Sequence, residues 1–214
     1  MVGRLRTNSK RGFALAGILL AGAPGIAALG SAIGLPCLPE PLADLEQRLP
    51  GIFTTHMMAS GLGLILLPWI LLLRHRPSLH RVLGRIGAGL LLVGAATSLP
   101  SALQSEAVPV ARLGFLTQGV LCLVFLVGGL SAIRMRDRHR HAQLMMRVSA
   151  LVSGAIVLRI LMAVAMSLGW PFNPTYAALA WLSWSLPLAV VLFWPGPPRD
   201  VGARLPGLPF PHLP

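Results

Sequence analysis

Six apolar stretches, each long enough to cross a bilayer and separated by short polar connections, dominate this sequence. They run Phe13–Gly34, Gly51–Leu73, Val82–Leu103, Leu113–Ile133, Leu144–Leu168 and Tyr176–Trp194. A helix needs about 20 apolar residues to cover the hydrocarbon core. Lipid offers backbone amides no partner, so a spanning segment is either a helix or a strand of a closed barrel. None of the six alternates apolar and polar residues with the period of two that a barrel strand needs. The chain is therefore expected to be all-α, a polytopic membrane helix bundle of six transmembrane helices. Composition agrees: 55% of the residues are hydrophobic and 11% charged, against about 25% charged in a soluble domain. Residues 1–12 form a basic tail, 13–194 the six-helix domain, and 195–214, PGPPRDVGARLPGLPFPHLP, an irregular Pro/Gly-rich tail. The short connections make successive helices antiparallel neighbours, with the second to fifth as a central four-helix unit.

The arginines fix the direction of threading. Arg4, Arg6, Lys10 and Arg11 precede the first run; Arg74, Arg76, Arg81 and Arg85 flank the second connection; Arg134, Arg136, Arg138, Arg140 and Arg147 flank the fourth; Arg199 and Arg204 follow the last. The intervening connections hold Arg48, Arg112 and no basic residue, together with Glu40, Asp44, Glu46 and Glu106. Basic residues stay cytoplasmic, so both termini are placed on the cytoplasmic side of a bacterial inner membrane. Trp69, Trp170 and Trp194 lie near run boundaries, the depth that amphipathic rings favour. The net charge of +12 then marks topology. It does not mark a nucleic-acid binder, whose basic residues would gather on one face of a polar domain. A rival reading of the first run is a cleaved secretory signal, suggested by its basic start and the small residues of ALGSAIG. Cys37 and Cys122 have no metal-type spacing and point to no disulfide.

Ionisable groups inside a membrane are costly and raise a functional question each. Arg159 lies well inside the fifth run, His56 one to two turns inside the second and Gln118 at similar depth in the fourth. Counted by helical rise, these three share the outer half of the bilayer within about 10 Å in depth. They are candidates for a ligand-binding cluster lined by Ser60 and reached by Glu106. The competing reading is a structural hydrogen-bond knot between helices.

A second set lies at the cytoplasmic edge. His80 opens the third run, with Gly84, Gly87, Leu91, Gly94 and Ser98 on its stripe; His141 opens the fifth, on one face with Arg159. Small residues let a helix or a flat cofactor approach closely. His80 and His141 are accordingly candidate ligands of a b-type haem, with Arg85 and Arg147 on its propionates. On the outer side His56 would need Met162 or Met166 as its counterpart. A metal site drawn from His75, His80, His139 and His141 has only Asp137 to join it. Histidines hydrogen-bonded at interfacial helix starts explain the same pattern without any cofactor. A faint repeat is also visible: Arg-x-Arg closes a run and a histidine opens the next, first at 74–80 and again at 134–141. Every cytoplasmic turn attracts arginine, so the repeat has a bland explanation too.

The segments HRVLGRIGAG, ARLGF, IRMRDRHRHAQLMMRVSAL and VLRIL resemble the predicted membrane protein family called domain of unknown function 2306. His56, His80, Arg81, Gly84, Arg85, Gly114, Phe115, Met146, Arg147 and Arg159 match its pattern, over about residues 51–168. HAQLMMR departs from it, with alanine and leucine where arginine and tryptophan are usual. The resemblance implies a multi-pass membrane protein and supplies no reaction. Three functions stay open: small-ligand binding with solute or proton handling, haem-based electron transfer, and a structural role beside a membrane partner or a second copy. No nucleophile–base pair, phosphate loop or paired carboxylates appear, which argues against hydrolysis.

Overall fold

In a computed structural model the described residues are 2–33 and 40–193, with side chains described over 17–33 and 44–193. The Pro/Gly-rich tail, Cys37, Arg199, Arg204 and His212 lie outside them. Seven helices follow in order: α1 (Val2–Ala32), α2 (Glu40–Arg48), α3 (Pro50–Leu72), α4 (Pro77–Gln104), α5 (Pro109–Arg134), α6 (Arg138–Ser167) and α7 (Phe172–Phe193). This is an all-α, polytopic membrane helix bundle. Five helices, α3 to α7, are long and apolar enough to span, not clearly six. The described apolar section of α1, Gly17–Ala32, is shorter than a span. The connection after it holds a short polar helix, α2, instead of a plain loop.

Helix starts follow proline chemistry. Pro50, Pro77 and Pro109 each open a helix, where the missing N–H costs nothing and the fixed φ is already helical. The apolar runs begin later than the helix starts, Pro77 in α4 and Arg138 in α6, so these two helices project beyond their apolar parts at the arginine-rich end. There α3 ends in a 3₁₀ turn, Leu73–His75. The α5–α6 turn is tighter. Asp137 N–H donates to the Ala132 carbonyl at 2.9 Å and Arg136 N–H to the Ile133 carbonyl at 3.1 Å. Arg136 sits at φ +63° between them, and the Asp137 side chain accepts the Arg140 N–H at 2.9 Å to cap α6.

Consecutive long helices pack as antiparallel neighbours from α3 to α7. In addition α1 lies along α3, α7 also packs on α5, and α3 and α6 barely touch. The core falls into two clusters. One joins Leu91, Cys122, Leu126, Val148, Leu151, Trp184 and Leu188 from α4 to α7. The other joins Ala28, Leu45, Phe53 and Met57 from α1 to α3. Between lipid-immersed helices the hydrophobic drive is weak, and close backbone approach at small residues takes its place. Gly25 and Gly61 stand back to back between α1 and α3, where a Cβ on either would come within 2.9 Å of the other's carbonyl oxygen. The outward faces are apolar: Leu113, Val120, Val124 and Val127 line one exposed stripe of α5, and Leu182, Leu186, Val190 and Phe193 one of α7.

Candidate functional site

His56 stands on α3 at the seam between the two core clusters. Its Nδ1 lies 2.9 Å from the Gly94 carbonyl of α4, with Ser60 Oγ at 3.4 Å and Thr97 Oγ1 at 3.5 Å. A carbonyl only accepts, so the Nδ1 proton is donated to it. Gly94 admits this approach because it has no side chain; a Cβ there would meet Ser60 Oγ at 2.7 Å. The structure thus brings His56 and Ser60 together and adds Thr97.

Gln118 is differently engaged. Its amide donates to the Leu151 carbonyl of α6 at 2.8 Å and lies against Gly154, a tie between α5 and α6. Glu106 pairs with Arg48, clamping the α4–α5 connection to α2 on the exposed surface, away from Arg159. Arg112 donates to the Leu103 carbonyl at the end of α4.

Arg159 turns its guanidinium back along α6, NH1 donating to the Ala155 carbonyl at 2.9 Å. At 1.5 Å per residue, Ala155 lies about 18 Å from the end of α6 at Ser167, so this cation points toward mid-bilayer instead of snorkelling outward. Among the described residues it has no carboxylate partner. Its face of α6 is informative. Val148, Arg159 and Met166 fall on one stripe, since eleven and eighteen residues are close to three and five whole turns. Val148 is 2% exposed, whereas Met166 is 38% exposed and Arg159 is exposed as well. The same face is packed near the basic end and open near the other.

The reason lies in α5. Toward the far end it leaves α6 for α7. Gly114 packs on the Ala180 backbone, and Trp181 Nε1–H donates to the Val110 carbonyl at 2.9 Å. Tyr176 of α7 is carried with it, its ring centroid 5.5 Å from Phe115 and 5.3 Å from Phe172, the latter pair stacked. Arg159 is within electrostatic reach of both Tyr176 and His56. By helical rise His56, Thr97, Arg159 and Tyr176 all lie about 6–12 Å below their helix ends on this side. Five helices therefore each carry one polar or aromatic residue at this level: His56 on α3, Thr97 on α4, Phe115 on α5, Arg159 on α6 and Tyr176 on α7. Thr97 and Tyr176 were missed by the sequence reading. Thr97 follows Gly94 by three residues on the stripe that His56 meets, and Tyr176 is the only tyrosine in the chain.

At the basic end His80 Nδ1 donates to the Ile70 carbonyl of α3 at 3.0 Å, and His141 Nδ1 to the Gly129 carbonyl of α5 at 2.9 Å. The two rings turn to different neighbours, and the backbones of α4 and α6 do not come together among the described residues. The glycine face of α4 is filled by α3: Ile70 lies over Gly87 and Ser60 over Gly94. A haem laid on that face would have to displace both, so the residues present do not fit the group there. Arg147 stacks its guanidinium over Phe125 at 5.6 Å, while Arg85 is exposed. No group of three or more His, Cys, Asp or Glu converges among the described residues.

No curated protein and no solved structure gives a significant match to this chain. A family model does, over residues 53–194, which spans α3 to α7 and takes in Thr97, Phe115, Arg159 and Tyr176. The chain belongs to the family described as a predicted membrane protein (DUF2306).

Proposed function

We propose that this membrane protein binds a small monoanion, a carboxylate on an apolar or aromatic body being the best match, in the opening lined by His56, Thr97, Phe115, Arg159 and Tyr176, as a step in solute handling. The observation that carries the reading is Arg159: a permanently charged group directed toward mid-bilayer, with one backbone carbonyl as its partner. An anion there would take the remaining guanidinium donors. The Phe115–Tyr176–Phe172 ladder supplies an apolar wall for the body of such a ligand. The arginine-rich turns support a threading with the basic end cytoplasmic, α1 as a sixth crossing and the opening on the outer side.

The test is thermal unfolding of the full chain in nanodiscs with sodium benzoate, acetate, chloride or phosphate. A ligand at a hundred times its dissociation constant stabilises the folded state by about 2.7 kcal/mol. Benzoate is expected to raise the midpoint by several degrees. Arg159→Gln should abolish that shift and Arg159→Lys retain part of it. An equal benzoate shift in Arg159→Gln, with all variants equally folded, would refute the reading.

A further inference from the structure

The basic end of the bundle carries more charge than threading requires. The antiparallel hairpins α3–α4 and α5–α6 bring nine arginines to it, four between residues 74 and 85 and five between 134 and 147. The carboxylate there is Asp137, and its side chain already accepts the Arg140 N–H as a helix cap. Two of the nine sit deeper than the rest. Arg85 is eight residues into α4 and Arg147 nine into α6, so each lies about 12–14 Å along its helix by the rise per residue. Helices of 28 and 30 residues are about 42–45 Å long against a hydrocarbon core of about 30 Å. That puts both arginines roughly one turn beneath the hydrocarbon boundary, where the guanidinium reaches up to the level of lipid phosphates. They flank α5 from its two sides, and the Arg147 guanidinium carbon lies over the Phe125 ring, 5.6 Å from its centroid. Neither side chain has a hydrogen-bond acceptor among the described residues, whereas Arg74 and Arg81 on the same end do.

We infer that this end of the protein is a binding surface for the phosphate head groups of anionic lipids in the adjoining leaflet, with Arg85 and Arg147 as its two anchors. A guanidinium matches a phosphate through two parallel N–H bonds, which a lysine ammonium does not reproduce. Arg147 is pre-oriented by Phe125, so less side-chain freedom is lost on binding than at a mobile surface arginine. This surface is independent of the opening around Arg159, at the opposite end of α6.

The experiment uses the full chain in detergent, titrated with phosphatidylglycerol or phosphatidylcholine and read by native mass spectrometry as bound lipid. Each basic residue near an anionic surface strengthens attraction by about fivefold, so Arg85→Gln/Arg147→Gln is expected to weaken phosphatidylglycerol binding by about thirtyfold. Arg85→Lys/Arg147→Lys, which keeps the charge and the threading, should fall in between. Arg134→Gln/Arg138→Gln, the same charge change at the exposed turn, should weaken binding less than the Arg85/Arg147 pair. Equal binding of the two lipids, or equal loss in the two glutamine pairs, would overturn the inference. So would inorganic phosphate displacing the lipid at millimolar concentration, since the surface would then read a free anion. Because lipid is counted on intact protein, a variant that fails to fold is recognised by its elution profile. The lysine pair then decides: wild-type phosphatidylglycerol binding by it would overturn the inference.

Discussion

Gly114→Ala tests the contact that makes the opening. In α5 a Cβ at this position would stand 2.8 Å from the Ala180 carbonyl oxygen, 3.1 Å from its carbon and 3.1 Å from Trp181 Nε1. Two of the three are backbone atoms of α7, so no side-chain rotation relieves the contact. Restoring an ordinary carbon–oxygen separation means parting α5 and α7 by about half an ångström, which stretches the 2.9 Å bond from Trp181 to the Val110 carbonyl. Overpacking of this kind costs about 1–3 kcal/mol. Gly89→Ala is the matched control: it is also a helical glycine, exposed, with nothing within 4 Å of the added carbon. There only helix propensity acts, and alanine is favoured over glycine by up to about 1 kcal/mol. The two substitutions should therefore move stability in opposite directions, measured by reversible unfolding in mixed micelles. If Gly114→Ala proves as stable as Gly89→Ala, α5 and α7 are not in backbone contact, and the account of why α6 is left uncovered at Arg159 fails with it.

Arg136→Gly should stabilise the protein, because a non-glycine residue held at φ +63° costs about 1–2 kcal/mol that glycine does not; chemical unfolding checks this, and a loss of stability would mean the arginine side chain contributes more than the strain it carries. Reporter tags inserted in the 73–76 turn and the 135–137 turn should both report the cytoplasm, and a tag in the 105–108 connection the opposite side; tags in the first two turns reporting different sides would refute the threading.

Spans were legible because lipid imposes a length and a composition that a single chain displays openly. The runs match α3 to α7 closely at their ends, and the discrepancy lies at starts, where Pro77, Pro109 and the Asp137 cap rather than hydropathy set the first turn. The short helix α2 was not legible, since a charged nine-residue segment between runs reads equally as loop. The candidate site was visible only in part. Arg159, His56 and Ser60 announced themselves as polar groups at depths where polarity is expensive. Which of them meet depends on helix rotation, and that is set by glycine contacts between partners distant in sequence, such as Gly94 with Ser60. Gln118 looked similar to His56 from the sequence. It is spent on a carbonyl of α6 because Gly154 lets it approach. Tyr176, although the single tyrosine of the sequence, could not be placed because its neighbours depend on how α7 packs on α5.

The two hairpins, α3–α4 and α5–α6, show how a shared device and one difference between them produce the opening. In each, a histidine near the start of the second helix donates Nδ1–H to a carbonyl near the end of the first: His80 to Ile70, His141 to Gly129. Both hairpins are thus pinned at the basic end, where the histidines lie 61 residues apart in sequence (80 and 141). At the far end they differ. In α3–α4 a third histidine, His56, repeats the bond in the opposite direction, to Gly94 of α4, so that hairpin is held at both ends. In α5–α6 the tie nearest that end is Gln118 to Leu151, and Leu151 lies sixteen residues short of the end of α6 at Ser167. Beyond it α5 is drawn to α7 by Gly114 and Trp181, and the stripe of α6 that begins with the buried Val148 continues uncovered through Arg159 to Met166. Arg159 thus stands on the part of α6 from which the packing has withdrawn one neighbouring helix.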